Sequence, residues 1–312
     1  MARMVGAPAG EGTPLPALPP LQGSPGWRRR VANRLAWALA GLALVVILAP
    51  AVWIVAGVVY RAAPHWHWSV LTTPGDRPTL ALPSGGLENA VLGTLLIMAG
   101  VTLVAGSIGV LSGIHLAEQA RGRVGDLLRG ASEVLAGIPS IVLGYVGYIA
   151  LVVGFHWGYS LLAGVLVLAV FVVPYVAKST EVALRQVPTS YREGAEALGM
   201  PPGYALRRVV LRTALPGITT GLIVALAVAA GETAPLLYTA NYSDALPTLH
   251  LTHHSVGYLT DVVWTFFNLP SRAEVQLSYD AALLLIVLVM LLIAVSRLVI
   301  GLTQRHAEPA RG

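Results

Sequence analysis

Long apolar runs separated by short polar ones set the pattern of this chain. Stretches near Leu35–Tyr60, Asn89–Leu116, Ala131–Phe155, Tyr159–Ala177, Pro216–Ala240 and Ala281–Leu302 are each about 20 residues or longer, the length an α-helix needs to cross a hydrocarbon core of roughly 30 Å. The pattern predicts an all-α integral membrane fold with six transmembrane helices, the first over residues 35–60. Residues 1–34 read differently. Up to residue 26 they are rich in Pro, Gly and Ala without apolar periodicity, which predicts a disordered tail. The tail closes on Arg28, Arg29, Arg30 and Arg34, a stop at a membrane face. The apolar run that follows is too long for a signal peptide and lacks a persuasive small-residue cleavage site.

Basic residues orient the spans. One side holds Arg28 to Arg34, then Arg121, Arg123 and Arg129, then the segment from Lys178 to Arg212, then Arg297 and Arg305, whereas the other side holds only Arg61, Arg77 and Arg272. The positive-inside rule then places both termini and residues 178–212 in the cytoplasm. Composition agrees: 55% hydrophobic and 11% charged residues exclude a soluble domain of this length. The absence of cysteine excludes disulfides, thiolate metal sites and Cys nucleophiles. The net charge of +5 lies at membrane edges rather than in one patch, so it does not read as a nucleic-acid surface. Lys178 is the only lysine and no Gly-rich run precedes it, so a Walker A loop is absent. With no His-Glu-Xaa-Xaa-His, nucleophile elbow or paired carboxylates either, no catalytic residue, metal ligand or cofactor is expected and the chain does not read as an enzyme.

The polar segment from Thr189 to Gly217 predicts a helical hairpin. Ser190 and Glu193 have the spacing of a capping box after Pro188, so a helix should start at Tyr191. Gly199 supplies its C-terminal cap, and Pro202 suits the first turn of a second helix that runs through Arg207, Arg208 and Arg212. Gly194, Ala195 and Ala197 give the first helix a low-relief face suited to another protein surface, while Arg192, Glu193 and Glu196 stay wet. Read alone, the same residues equally describe an ordinary amphipathic cytoplasmic loop.

Two places inside the spans break the apolar pattern. Gly137-Ile138-Pro139-Ser140 removes a backbone hydrogen bond from the third span, and by itself describes a kinked packing helix. Gly231-Glu232-Thr233-Ala234-Pro235 places a lone carboxylate in the fifth, where an acid needs a partner or an aqueous cavity. On the outer side, His65, Trp66, His67 and Trp68 read as an interfacial aromatic belt. His250, His253 and His254 with Asp244 and Asp261 include zinc-ligand types but lack helical or finger-type spacing. Trp264, Phe266 and Phe267 are expected on the membrane surface or over a pathway mouth.

Glu193-Gly194-Ala195 with Gly199 four residues after Ala195 resembles the EAA loop of ABC-importer permeases. Gly137-Ile138-Pro139-Ser140-Ile141-Val142-Leu143-Gly144 and Gly231-Glu232-Thr233-Ala234-Pro235-Leu236-Leu237 resemble the paired motifs of the permease subunits of phosphate ABC importers, the A-type in particular. The resemblance spans about residues 88–302, with the hairpin at 189–213. It implies the ABC type-1 importer permease fold with cytoplasmic coupling helices, in the bacterial plasma (inner) membrane. It further implies a second phosphate permease subunit as heterodimer partner, a dimer of ATP-binding subunits beneath, an extracytoplasmic phosphate-binding protein, and inorganic phosphate as cargo. Glu193, Gly194, Ala195, Ala197 and Gly199 would couple to the ATPase, and Pro139, Ser140, Glu232, Thr233 and Pro235 would border the pathway. The chain departs from the pattern at Gly194, where the loop has a second Ala, at Arg212, where it has Pro, and at Val228, where the phosphate permeases often carry Arg. The last departure leaves open an ABC permease for another oxyanion or small solute, such as molybdate or sulfate. A secondary transporter is disfavoured because inverted repeats are not evident.

Overall fold

A computed structural model describes residues 26–80, 82–120 and 122–304. Of the tail expected over residues 1–34, residues 1–25 lie outside the described residues, as do the cations Arg121 and Arg305, and residues 27–34 are not tail but the first two turns of a helix that continues into the apolar run. Two compact units divide the chain, residues 1–55 and 56–312. The described part of the first is the body of helix α1 (Trp27–Ala62), where Pro50 is carried inside the helix and every described side chain up to residue 56 is exposed. An exposed helix of this hydropathy has lipid as its natural solvent.

All regular secondary structure among the described residues of the second unit is helical. After two short 3-10 turns at Ala63–His65 and Trp68–Leu71 come α2 (Glu88–Glu118), α3 (Gly122–Gly137), α4 (Ser140–Gly147), α5 (Leu161–Arg185), α6 (Thr189–Ala197), α7 (Pro202–Ala205), α8 (Leu211–Ala230), α9 (Ala234–Thr239), α10 (Leu259–Phe267) and α11 (Arg272–Gln304). A π-helical turn extends α4 through Gly154, and another joins α7 to α8, so that residues 202–230 form one continuous helical body. Helices α1, α2, α5, the α7–α8 body and α11 are each long and apolar enough to cross a membrane, and the chain is a multi-pass membrane protein.

Two of the six expected spans are not single helices. The run predicted over Ala131–Phe155 is split between α3 and α4, which meet at 92° across Ile138 and Pro139. Proline has no N–H for the ladder and its ring clashes with the preceding turn, so the helix restarts instead of bending through. The run predicted over Pro216–Ala240 stops at Ala230 and resumes at Ala234, with Pro235 in the first turn of the new piece.

Helices α2 and α5 run parallel and touch nearly backbone to backbone. A Cβ built on Gly100 would fall 2.7 Å from Val165 Cγ2, one on Gly109 2.6 Å from Val176 Cβ, and one on Gly113 2.5 Å from the Ala177 carbonyl oxygen. Membrane helices gain no hydrophobic drive from meeting each other, so small residues that allow close van der Waals contact hold such a pair. Around this seam Ile97, Val101, Leu168, Val172, Leu226 and Leu236 form the main core. A second cluster, with Val70, Leu87, Leu259, Val262 and Leu277, lies at the end where α2 begins. A third, with Leu184, Val210, Ala214 and Ile218, lies at the hairpin end.

Filling the seam should separate the helices. Gly109→Leu is expected to destabilise by about 1–3 kcal/mol through overpacking, whereas Gly130→Ala, where an added Cβ meets nothing within 4 Å, should not. Thermal denaturation of both purified variants in detergent checks this, and equal melting points would refute a tight seam.

Candidate functional site: two broken helices and a clamped hairpin

The two interruptions lie beside each other. Pro139, with extended backbone (ψ 132°), precedes α4 as its N-cap, and Thr233 precedes α9. The short helices that follow pack so closely that a Cβ on Gly144 would lie 2.6 Å from Pro235 Cα and 3.2 Å from the Ala234 carbonyl oxygen. Glycine at 144 is therefore a steric requirement of the pair. Tyr145 and Tyr238 meet edge-on at 6.0 Å, and Tyr148 stacks on Tyr159 at 6.0 Å, giving the pair a row of phenols. Of the residues singled out from sequence, Ser140, Glu232 and Thr233 are half-buried, Pro235 is buried and Pro139 is exposed. Glu232 sits in the break with its carbonyl accepting from Thr260 Oγ1 at 3.2 Å, which ties the break to α10.

Sequence reasoning passed over the residues that anchor α10. Asn89, fully buried in the first turn of α2, donates from Nδ2 to the Ser243 carbonyl at 2.8 Å and to Tyr242 Oη at 3.3 Å, and its Oδ1 accepts from Gly75 N at 3.1 Å. Thr94 Oγ1 accepts from Leu259 N at 2.9 Å and donates to the Ala90 carbonyl at 2.7 Å. The available signal was the cost of polar side chains on an apolar helix, which marks Asn89 and Thr94 as partnered. Asp261, considered above as a zinc-ligand type, is instead buried at the start of α10 with Thr265 Oγ1 donating to it at 3.2 Å. Burial pushes its carboxyl above the usual range, and the Thr265 hydrogen bond opposes that shift. His250 and His254 lie with ring centroids 5.0 Å apart, and no group of three or more His, Asp or Glu able to hold a metal occurs among the described residues. Trp264 and Phe267, one turn apart on α10, are both exposed.

At the other end the hairpin forms, with a different start from the one expected. Pro188 is the N-cap of α6 and no side chain caps it, so the Ser190–Glu193 box does not form. The end is as the sequence requires: Gly199 has φ +68°, its N–H reaches the Glu196 carbonyl at 2.9 Å, and Met200 N reaches Ala195 O at 3.1 Å, a Schellman motif. Pro201 then caps α7, with Pro202 in its first turn. Ala195 turns inward and is buried, while Tyr191, Gly194 and Leu198 form an exposed stripe at i, i+3 and i+7, flanked by Glu193, Glu196, Ala197 and Gly199, all exposed.

Arg192 is not left wet. Its guanidinium makes two 2.7 Å bonds to the carboxylate of Glu118, at the end of α2, and that pairing holds Arg192 above the usual arginine pKa. A second arginine grips the same helix end. Arg129 on α3 donates to the Leu116 carbonyl at 2.9 Å and the Ala120 carbonyl at 3.2 Å, and from Nε to Glu181 Oε1 at 2.8 Å. Arg185 reaches the same buried Glu181 oxygen at 2.7 Å. The last carbonyls of α2, unpaired within the helix, thus find donors, and α2, α3, α5 and α6 are joined in one charged knot.

Comparison with known proteins bears on both places. Residues 107–309 match the family model described as the binding-protein-dependent transport system inner membrane component. The chain is 56% identical over 292 residues to phosphate transport system permease protein PstA 2 of Mycobacterium tuberculosis strain CDC 1551, covering 94% of this chain and 95% of that one. It is 34% identical over 281 residues to phosphate transport system permease protein PstA of Yersinia pestis, covering 90% and 93%. Among solved structures, an inward-facing MetNI methionine ABC transporter aligns over 69% of this chain and 94% of its own, with a TM-score of 0.53 at 21% identity, a likeness of fold.

In a double-mutant cycle, Glu118→Gln and Arg192→Gln should show a coupling energy on the order of 1 kcal/mol in thermal stability; additive effects would mean that the pair contributes no interaction of its own. Asp261→Asn keeps an oxygen for Thr265 and removes a buried charge. A carboxyl with a raised folded-state pKa costs stability as pH rises above its unfolded value, so this variant should melt no lower than the parent at pH 7.5, with the difference closing on acidification. A lower melting point at every pH would contradict that account.

Proposed function

The chain belongs to the family of binding-protein-dependent transport system inner membrane components, and from that membership we propose that it is the A-type permease subunit of an ATP-driven phosphate importer. The observation that carries the proposal is the 56% identity to a mycobacterial phosphate permease over 94% of this chain, a span that includes the hairpin and both broken helices. Permease subunits of this family are membrane subunits and not enzymes, and ATP hydrolysis falls to a separate subunit.

In this reading the chain pairs with a second permease subunit, rests on a dimer of ATP-binding subunits, and receives phosphate from an extracytoplasmic binding protein. It lies in the bacterial plasma membrane with residues 88–302 as the permease domain and with the hairpin and both termini in the cytoplasm, as the distribution of arginines supports. The exposed stripe of α6, with Tyr191, Gly194 and Leu198 beside Glu193, Ala197 and Gly199, is what the ATPase grips. Ala195 and Arg192 act from the inner side of the helix, Arg192 by passing motion to α2 through Glu118. A membrane subunit without a nucleotide site needs such a rigid link, because a coupling helix that rolled freely would dissipate the stroke.

The pathway borders α4 and α9, with Pro139, Ser140, Glu232, Thr233 and Pro235 at the two breaks. A carboxylate repels phosphate, so Glu232 serves as a structural or gating group, and the anion is met by neutral donors such as the Ser140 hydroxyl and the N–H groups opening α4. Val228, one turn before Glu232 and half exposed, offers no cation. That residue supports the second reading, a permease for another oxyanion such as sulfate or molybdate.

Uptake of labelled phosphate by proteoliposomes holding the complete transporter separates these readings. Phosphate uptake blocked by excess arsenate and not by sulfate or molybdate is expected; block by sulfate or molybdate would retain the permease and discard phosphate. Glu193→Ala should abolish ATP-dependent uptake and Glu232→Gln should reduce it at least about tenfold, equivalent to about 1.4 kcal/mol. Undiminished uptake by either variant would remove the role assigned to that residue.

A further inference from the structure

Three arginines sit on the side of the chain opposite the hairpin, and two of them share a cleft. Arg61 closes α1 and Arg272 opens α11, yet both line one cavity of about 660 Å³ together with Tyr60, His65, Gln276 and Tyr279. No carboxylate lines it. Among the described residues neither arginine makes an ion pair.

Arg61 is held in place and not consumed. Nη1 donates to Tyr279 Oη at 2.8 Å, with the guanidinium 5.1 Å from the same ring's centroid, and this uses one of five N–H donors. Gln276 Nε2 donates to the Arg61 carbonyl at 3.3 Å and to Asp280 Oδ1 at 3.0 Å. Asp280 is therefore buried and already engaged, and Glu274, which shares the first turn of α11 with Arg272, is half-buried, does not line the cavity and forms no ion pair with either arginine. The first turn of α11, a helix of 33 residues, adds the positive end of its dipole. Glu274 offsets part of the charge at the helix start, but inside the hollow itself the two guanidiniums face no carboxylate, a balance that favours an anion between them.

We propose that this cleft binds a phosphate-bearing oxyanion. The two guanidinium forks offer paired N–H groups to separate oxygens of a tetrahedral group, the geometry in which arginine is most selective, and the phenol of Tyr60 adds a donor at the rim. The group has two possible sources, the headgroup of an anionic phospholipid or free inorganic phosphate. The position favours the lipid: Arg61 stands at the end of one candidate span and Arg272 at the beginning of another, where helices leave the hydrocarbon and where the exposed Tyr60 and Trp68 suit an interface. The inference rests on the membrane placement of the chain and not on its cargo, so a permease for another solute would keep the same site.

The test compares the complete transporter with its Arg61→Gln/Arg272→Gln variant. Native mass spectrometry after reconstitution with phosphatidylglycerol or phosphatidylcholine reads the first source, and the KM for labelled phosphate in proteoliposomes reads the second. Retention of phosphatidylglycerol over phosphatidylcholine that falls about tenfold in the variant, with KM unchanged, assigns the lipid. Unchanged retention with KM raised about tenfold assigns free phosphate. Arg61→Lys/Arg272→Lys should recover part of either effect, since it restores charge without the fork. Arg272→Gln alone, at an exposed side chain, serves if the double variant fails to fold. No change in lipid retention or in KM would overturn the proposal.

Discussion

Inside a bilayer every backbone N–H and C=O must find its partner in the protein, and a broken helix is tolerated only where something else covers the break. The rest of this structure is arranged around that requirement. Two helices are interrupted, at Pro139 and at Gly231 to Thr233, and both interruptions come to the same place. Gly144 lets α9 approach α4 to backbone distance, and Thr260 Oγ1 satisfies the Glu232 carbonyl. The cover is itself anchored, because Asn89 and Thr94 hold the segment leading into α10. Irregular backbone at membrane depth is tolerated where it lines a cavity or is buried in protein, and the pathway proposed above borders these same two breaks.

At the hairpin end the difficulty is mechanical. Helix α6, with nine residues, is too short to be stable by itself, and its stiffness must come from attachments. The Glu118–Arg192 fork provides one and the buried turn at Ala195 another, while the arginine that crosses from α3 to the carbonyl end of α2 steadies the helix end to which the fork is tied. Glu181, buried between Arg129 and Arg185, keeps the knot from being a set of screened surface pairs.

Much of this was legible in the order of residues. Apolar runs located the long helices, and the hairpin's stop at Gly199 followed from a backbone conformation that glycine adopts without strain. The motifs at 137–144 and 231–237 marked where the apolar pattern is disturbed, although not that each helix would stop and restart there, nor that the two breaks would pack together. A proline in an apolar run reads the same whether the helix bends gently or turns by 92°, because the angle is decided by what packs on either side. The Glu118–Arg192 pair joins residues 74 positions apart, beyond any local pattern. The capping box failed for a local reason: Pro188 took the N-cap position and moved the start of α6 forward, so Ser190 lies inside the helix.

The glycine seam between α2 and α5 has a consequence for how the chain can vary. Each residue of an α-helix turns the face by about 100°, so one residue inserted or deleted between Gly100 and Gly113 would rotate bulky side chains into the contact and carry the glycines away from it. Length, and not only composition, is therefore under constraint in that interval. A change in residue number would leave the seam intact only in the connections between helices, and a chain that kept every glycine but lost its register would have lost the seam.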